Sequence, residues 1–380
     1  MLALALSLLL SLGAILPVAA IPTTEGDATF TLDCKSAILM EASTGQVLFE
    51  QNADEPLPPA SVTKIMTLLL VMEEIEAGRL RYEDTVSASA HACSMGGSQI
   101  YLKEGEEMTV EDLLKSVVIA SANDAAVALA EHIAGSEESF VARMNRRASE
   151  LGMKNTNFEN TNGLDDTAEN HVTSARDIAL MSQALLKHER ITEFSSIWMD
   201  TIRNGAFGLT NTNRLVRFYR GATGLKTGST AKAGFCISAT AKREGMELIA
   251  VIMGSPSRDI RNAAATKLLD WGFANFGVYE APAGQVESLR VTGGEKSSLT
   301  ASYPSFRTVV KKNDLRRIQS TRELPDFVSA PIGQGEKIGR IVYTLDGKEL
   351  GECAIRAEER VEKIGFLGIV WRILRGMAFC

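Results

Sequence analysis

Strand-like segments at both ends of the first 280 residues enclose a long helical stretch. Residues Ala37 to Glu50 contain two apolar runs separated by a Ser-Thr-Gly turn, which predicts a β-hairpin. Strand character returns between Gly224 and Gly254, and a helical pattern follows from Pro256 to Phe276. If the two strand regions share one sheet, the helical stretch forms an insert at one side and the last helix covers one face. We therefore predict an α/β fold with two subdomains and a cleft between them.

The sequence changes character after Glu280. Short alternating segments separated by turn residues replace the long helices, which predicts a small all-β domain over residues 281–358. A chain of 380 residues is long enough for two domains of this kind. The second domain contains no evident cluster of reactive side chains, so we expect a structural or peptide-binding role for it.

The first 20 residues form an apolar segment that is typical of a signal peptide. Val18 and Ala20 occupy the small-residue positions that precede a cleavage site, which favours cleavage after Ala20. No Lys or Arg precedes the apolar run, so an uncleaved N-terminal anchor is the alternative. Either interpretation predicts that residues 21–280 and the domain after them are exported.

The C-terminal residues 359–380 predict an amphipathic helix. From Gly365 to Cys380, glycines and arginines gather on one side of a helical projection, and large apolar residues fill most of the rest. Sixteen residues are too few to cross a bilayer, which needs about 20. A helix that lies in the membrane surface fits this pattern. A helix docked on the protein's own core is the alternative.

Composition excludes some classes of function. The net charge of −7 gives no electrostatic reason to expect nucleic-acid binding. The five cysteines are scattered and contain no CxxC pair, so the sequence suggests neither a zinc site nor a disulfide framework. We expect no cofactor and no metal.

A serine and a lysine lie three residues apart at the start of the helix predicted from Ser61 to Ala77. Residues three apart on a helix face the same way, so the Ser61 hydroxyl and the Lys64 amine can meet. A lysine that is partly desolvated and close to another cation can take the proton of a serine. The helix N-terminus would also favour a developing oxyanion. Alone, this spacing also fits an N-cap serine with a solvated lysine.

Two further motifs follow in the chain. Ser121-Ala122-Asn123 lies at a break between two helical runs, where a hydroxyl and a carboxamide could relay a proton and hold a substrate amide. Residues 226–230, Lys-Thr-Gly-Ser-Thr, precede an apolar strand and suit the recognition of a substrate carboxylate beside a strand edge. Each motif alone fits a simpler interpretation, helix caps for the first and a polar strand end for the second.

Together and in this order, the three motifs resemble the set shared by class A β-lactamases and penicillin-binding proteins. The chain as a whole is similar to the low-molecular-mass penicillin-binding proteins of the serine D-alanyl-D-alanine carboxypeptidase family, over nearly all of its mature length. The similar segments are 59–67, 98–102 with Gly105-Glu106, 121–126, 162–164, His171 with 173–177, 211–215, and 224–230 with 233–235.

The resemblance implies both a fold and a location. It implies a β-lactamase/transpeptidase-like domain over 21–280, in which an antiparallel sheet with flanking helices carries a mostly helical subdomain. The small all-β domain and the C-terminal amphipathic helix also match the layout of that family. The implied location is the extracytoplasmic face of a bacterial cell membrane, with the C-terminal helix on the membrane surface.

The resemblance also implies the roles of individual residues. The implied substrates are peptidoglycan peptide stems that end in D-Ala-D-Ala, and β-lactams are implied covalent inhibitors. Ser61 would attack the carbonyl of the penultimate D-alanine, and Lys64 would take its proton. Ser121 and Lys226 would assist proton transfer around the leaving group, and Asn123 would orient the acyl chain. The terminal carboxylate of the substrate would be bound by the strand motif, namely Lys226, Thr227, Gly228 and Ser229. The oxyanion hole would use the backbone N–H groups of Ser61 and Ser229.

Three alternatives share parts of this pattern. A class A β-lactamase would need a glutamate in an E-x-x-x-N arrangement, whereas Gly163 stands four residues after Glu159. A D,D-endopeptidase or transpeptidase differs only in the group that leaves or attacks. A catalytically dead wall-binding protein is disfavoured by the intact motifs. Some relatives place histidine where this chain has Ser229, and we expect His171 to anchor a loop rather than join a triad.

Overall fold

A computed structural model describes residues 30–165 and 168–378. The predicted signal peptide over residues 1–20 lies outside the described residues. The first part of the chain contains these helices and strands: β1 (Ser36–Glu41), β2 (Val47–Gln51), α1 (Lys64–Glu76), β3 (Thr85–Ser87), α2 (Ala90–Cys93), β4 (Glu107–Thr109), α3 (Val110–Ile119), α4 (Asn123–Ala134), α5 (Glu137–Glu150), α6 (Ala175–Leu186), α7 (Arg190–Ser195), β5 (Met199–Ile202), β6 (Phe207–Thr210), α8 (Leu215–Phe218), β7 (Ala222–Thr230), β8 (Gly234–Arg243), β9 (Met246–Ser255) and α9 (Arg258–Asn275).

The second part is almost entirely β-structure and ends in one helix. Its elements are β10 (Phe276–Ala281), β11 (Gly284–Thr292), β12 (Ser298–Tyr303), β13 (Phe306–Lys311), β14 (Ile318–Glu323), β15 (Phe327–Ser329), β16 (Lys337–Leu345), β17 (Lys348–Ala357) and α10 (Phe366–Ala378). The predicted boundary between 280 and 281 falls inside β10, which pairs with β13. The predicted domain limits stay a prediction.

The two predicted strand regions do share one sheet. Its order is β2-β1-β9-β8-β7, and every neighbouring pair is antiparallel. Side chains alternate between two buried faces, as a strand requires. In β9, Val251 and Met253 pack with α1 and the helical subdomain, whereas Ala250 and Ile252 pack on the side of α9. The α/β arrangement with a mostly helical subdomain is therefore confirmed.

The two edge strands of the sheet are β2 and β7, and β7 lies beside the turn that leads into α1. A 3-10 turn over Ala60–Thr63 precedes α1, which ends at Glu76 before the left-handed Gly78. The prediction had placed the start of the α-helix at Ser61, whereas the α-helix begins at Lys64. This short turn brings the first and third sequence motifs into contact.

The β-rich part contains a six-stranded sheet in the order β14-β16-β17-β12-β11-β15. Its core is separate from that of the first part and includes Leu289, Ile355 and Val361. Arg307 of β13 reaches back to the first part, donating to Ser43 Oγ at 2.9 Å and to the Gly245 carbonyl. The β-rich character predicted for the chain after Glu280 is confirmed.

Arg372 connects the C-terminal helix α10 to the β-rich part. Arg372 Nη2 donates to the carbonyls of Gly294 and Glu295, each at 3.0 Å. Most of the large apolar side chains of α10 are exposed: Phe366, Leu367, Ile369, Val370, Trp371, Ile373, Leu374 and Met377. Among the described residues, no helix has both the length and the apolar character needed to cross a membrane.

Candidate active site

Ser61 lies in the 3-10 turn that packs against β7. The residue before it, Ala60, has a φ of 48°, a conformation that a non-glycine residue rarely adopts. Two contacts of the Thr63 hydroxyl stabilise the conformation of the turn. Thr63 Oγ1 donates to the Ala60 carbonyl at 2.8 Å and contacts His171 Nε2 at 2.8 Å. Strain of this kind persists only where surrounding contacts impose it.

Lys64 is completely buried and points at Ser61. Its Nζ donates to Ser61 Oγ at 2.9 Å, to Asn123 Oδ1 at 2.5 Å and to the Asn162 carbonyl at 2.8 Å. Burial lowers the pKa of Lys64 well below its ordinary value, and the charge of Lys226 lowers it further. A lysine with a lowered pKa can be neutral near neutral pH and accept a proton from the serine.

The second motif lies between α3 and α4. Ser121 has a φ of 64°, and Asn123 is the first residue of α4. Asn123 Nδ2 donates to the Gly96 carbonyl at 2.7 Å while its Oδ1 accepts from Lys64. The carboxamide is therefore fixed between the lysine and the loop at residue 96.

The third motif brings a second buried lysine to the cleft. Lys226 Nζ, on β7, donates to Ser121 Oγ at 2.7 Å and to the Thr227 carbonyl at 2.9 Å. Burial lowers the pKa of Lys226 to about 7, with a smaller contribution from the charge of Arg261. Each lysine thus contacts one serine, Lys64 with Ser61 and Lys226 with Ser121.

Gly228 lets β7 approach the serine turn closely. A Cβ at this position would lie 2.8 Å from the Ser61 nitrogen, 2.9 Å from the Val62 nitrogen and 2.9 Å from the Pro59 carbonyl oxygen. These are backbone atoms, so they cannot move aside cheaply. The next residue, Ser229, is exposed at the cleft.

The motifs face a cleft of about 510 Å³. The described lining contains no aspartate or glutamate and includes three arginines, although the whole chain carries a net charge of −7. A cationic cleft of this kind favours an anionic ligand. The lining residues are Ser61, Ser98, Ser121, Trp198, Thr210, Asn211, Thr212, Arg214, Thr227, Gly228, Ser229, Arg258 and Arg261.

Comparison with known protein families identifies the family to which this chain belongs. Residues 22–257 match the D-alanyl-D-alanine carboxypeptidase family of peptidases, and residues 281–363 match the C-terminal domain of penicillin-binding protein 5. The chain belongs to the serine D-alanyl-D-alanine carboxypeptidase family. The fold predicted from the three motifs, with a transpeptidase-like domain and a β-rich domain, is the fold of this family.

Individual relatives cover most of the chain. D-alanyl-D-alanine carboxypeptidase DacF of Bacillus subtilis is 44% identical over 90% of this chain and 89% of its own length. DacC of Escherichia coli is 35% identical over 90% of this chain and 87% of its own length. The crystal structure of penicillin-binding protein 5 from Haemophilus influenzae superposes with a TM-score of 0.79 and 31% identity, covering 89% of this chain and all of that one.

A further relative has been solved with β-lactams bound. Penicillin-binding protein D2 from Listeria monocytogenes in its ampicillin-bound form superposes with a TM-score of 0.59 at 32% identity. It covers 64% of this chain and 98% of its own, so the likeness is shorter than for the relatives above.

The structure brings together all eight residues predicted for the carboxypeptidase site, and the cleft adds residues that sequence reasoning missed. Arg258 and Arg261 lie on α9, about thirty residues after the third motif, and only tertiary packing brings them to the cleft. Thr212 belongs to a segment recognised as similar to the family but given no role. Ser98 also lines the cleft and belongs to another segment recognised as similar to the family but given no role. Trp198 lines the cleft as well, and no motif in the sequence indicates a role for it.

Two residues considered in the sequence lie away from the cleft. His171 accepts at Nδ1 from the Glu159 backbone N–H at 3.1 Å, so its Nε2 carries the proton that faces Thr63. Burial lowers the pKa of His171 to about 4, which keeps it neutral in this anchoring position. Glu159 is exposed, accepts from the Asn170 N–H at 3.1 Å and is not part of the described cleft lining.

Proposed function

We propose that this carboxypeptidase removes the terminal D-alanine from peptidoglycan peptide stems through an acyl-enzyme on Ser61. The observation that carries the proposal is the buried Lys64 amine, 2.9 Å from the Ser61 hydroxyl. Lys64 takes the hydroxyl proton while Ser61 Oγ forms a bond to the carbonyl carbon of the penultimate D-alanine. The pairing of one nucleophile with one buried base needs neither a cofactor nor a metal.

Collapse of the tetrahedral intermediate expels the terminal D-alanine. The leaving nitrogen needs a proton, and Ser121 lies between the cleft and the Lys226 ammonium, which donates to its Oγ. We infer that Ser121 passes a proton to the leaving nitrogen and is reprotonated through the lysines. Water then adds to the ester carbonyl while Lys64 takes one of its protons. The bond between the carbonyl carbon and Ser61 Oγ breaks, Lys64 returns the proton to Ser61 Oγ, and the shortened peptide leaves as a carboxylic acid.

The substrate's terminal carboxylate is the anion that the cationic cleft suits. Thr227 and Ser229 offer hydroxyl groups there, and Arg258 and Arg261 supply charge. Asn123 would hold the amide of the acyl chain. The close packing of Gly228 on the Ser61 nitrogen supports an oxyanion hole made from the backbone N–H groups of Ser61 and Ser229.

A β-lactam would acylate Ser61 by the same attack, and the adduct should be long-lived. Class A β-lactamases use a glutamate to activate the deacylating water, and Glu159 lies outside the described cleft lining. Incubation with a penicillin should give a stable mass increase that maps to Ser61 by peptide mass spectrometry. Rapid multiple turnover of penicillin would instead identify a β-lactamase.

A D,D-endopeptidase is the second candidate, because the exposed cleft could accept a larger leaving group. A matched pair of substrates separates the two activities, namely a monomeric pentapeptide and a cross-linked dimer with the same stem. We expect faster release from the pentapeptide. Preferential cleavage of the cross-link would contradict the carboxypeptidase assignment.

We propose that the protein is exported and held on the outer face of the bacterial membrane by α10. The exposed apolar side chains of this helix support contact with a lipid surface, and Arg372 would fix the helix against the β-rich domain. The division into a catalytic domain over 21–280, a β-rich domain over 281–358 and a membrane-associating segment over 359–380 belongs to the same proposal.

A further inference from the structure

Two threonines meet in the wall of the cleft. Thr227 Oγ1 donates to Thr212 Oγ1 at 2.8 Å, and both residues line the cleft. Thr227 lies on β7, whereas Thr212 lies in the loop between β6 and α8. The bond therefore connects the strand of the third motif to a loop that the mechanism above does not use.

The loop around Thr212 is fixed by the asparagines on either side of it. Asn211 and Asn213 are both buried, at 5% and 1% exposure, so their carboxamides must find partners within the protein. All of these partners are backbone carbonyls. Asn211 Nδ2 donates to the carbonyls of Ser195 and Ile197, and Asn213 Nδ2 donates to the carbonyl of Gly224. The backbone N–H of Thr212 itself donates to the Ile119 carbonyl. The position of the Thr212 hydroxyl is thus set by a rigid frame.

We propose that Thr212 is a positioning residue that orients the Thr227 hydroxyl for the substrate carboxylate. This inference rests on the proposed function, in which Thr227 contacts that carboxylate. In this structure Thr227 donates its one hydroxyl hydrogen to Thr212. When a carboxylate binds, Thr227 donates to the anion, and Thr212 turns its own hydroxyl hydrogen toward Thr227 Oγ1. Only two hydroxyl hydrogens rotate, and the resulting chain strengthens the bond to the anion.

Removal of the Thr212 hydroxyl has two opposing effects on carboxylate binding. It frees the Thr227 hydrogen from a competing acceptor, which favours the anion. It also removes the only side-chain partner of that hydroxyl among the described residues and the donor that completes the chain. Because Thr227 is only 6% exposed, water does not readily replace this partner. We expect the loss of orientation to dominate, so affinity for the carboxylate falls.

The test compares a penicillin with its methyl ester, which lacks the negative charge. Thr212→Val removes the hydroxyl while keeping the shape, and Thr212→Ser keeps the hydroxyl. Thr201→Val is the control for the same change of side chain, because Thr201 is exposed on β5 and lies outside the described cleft lining. The second-order rate constant for Ser61 acylation by the free acid should fall about five- to tenfold in Thr212→Val, the loss of one ordinary hydrogen bond. The rate constant for the ester should stay within about twofold.

The outcomes separate this inference from the proposed function. Thr212→Ser and Thr201→Val should match the wild type with both compounds. An unchanged or increased rate constant for the free acid in Thr212→Val contradicts the inference, as does an equal loss with both compounds, which would show general damage to the cleft. Failure of the wild type to release D-alanine from a stem peptide, with Ser61 still acylated by penicillin, would instead contradict the proposed function alone.

Discussion

Two buried lysines determine the chemistry of the cleft at the scale of single residues. Lys64 contacts Ser61, and Lys226 contacts Ser121. Because burial disfavours the charged form of an amine, the pKa of each lysine is lowered. Lys64 must be neutral to accept the serine proton, and we expect Lys226 to be charged when it attracts the substrate carboxylate.

These requirements predict the pH dependence of kcat/KM. The rate constant falls toward acid as Lys64 gains a proton, and it falls above about pH 7 as Lys226 loses one. Arg261→Gln removes a positive charge that lowers the pKa of Lys226, so the alkaline limb should move to higher pH, by less than about one unit because burial is the larger cause. Arg261→Lys keeps the charge and serves as the control. An alkaline limb that stays in place in Arg261→Gln would disprove this assignment.

The close packing of Gly228 against the serine turn predicts that a larger side chain at this position disturbs the active site. Gly228→Ala places a methyl group against backbone atoms of the serine turn, so we expect the turn or β7 to shift. Acylation of Ser61 by penicillin should slow at least tenfold, and the free energy of unfolding should fall by about 1–3 kcal/mol. Gly208→Ala is a matched control in β6, where a Cβ would meet no atom within 4 Å. Equal behaviour of the two variants would show that close packing at Gly228 is unimportant.

At the scale of helices and strands, the sequence predicted the elements whose residue patterns lie within one short segment of the chain. The hairpin of β1 and β2, the helix α9 and the paired β8 and β9 follow from runs of apolar residues and turn signals. The 3-10 turn before α1 had no such signal, since its contact with His171, through the Thr63 side chain, comes from a distant part of the chain. The cleft arginines on α9 were missed for the same reason, because their role depends on packing between distant segments.

The exposed helix α10 predicts membrane association. Deletion of residues 365–380 should release the protein from anionic phospholipid vesicles in a flotation assay. Leu367→Glu with Leu374→Glu should weaken binding at least about tenfold, because each leucine contributes a buried side chain in lipid. Phe327→Glu is the control, since Phe327 is 52% exposed and lies outside α10. If the deletion variant, expressed with its N-terminal segment, still partitions to membranes, the N-terminal segment is the anchor.

At the scale of the whole molecule, Arg307 connects the two parts. It contacts Ser43, Gly245 and Glu280, and it lies 3.8 Å from the completely buried Glu41. Arg307→Met should lower the free energy of unfolding by about 1–2 kcal/mol, because buried Glu41 loses its nearest cation. Calorimetry should show this loss, while Arg290→Met, an exposed arginine of β11, should change stability by less than about 0.5 kcal/mol. Equal stability of the two variants would argue against a connecting role for Arg307.

The central claim is that Ser61 transfers the acyl group of a D-Ala-D-Ala peptide to water. The measurement that tests it most directly is the release of free D-alanine from a pentapeptide that ends in D-Ala-D-Ala, with wild type and Ser61→Ala compared at equal concentration. We predict steady release by the wild type and a loss of at least about a thousandfold in the variant, since removal of a nucleophile abolishes the covalent route. Release that persists in Ser61→Ala, or none from the folded wild type, would contradict the account.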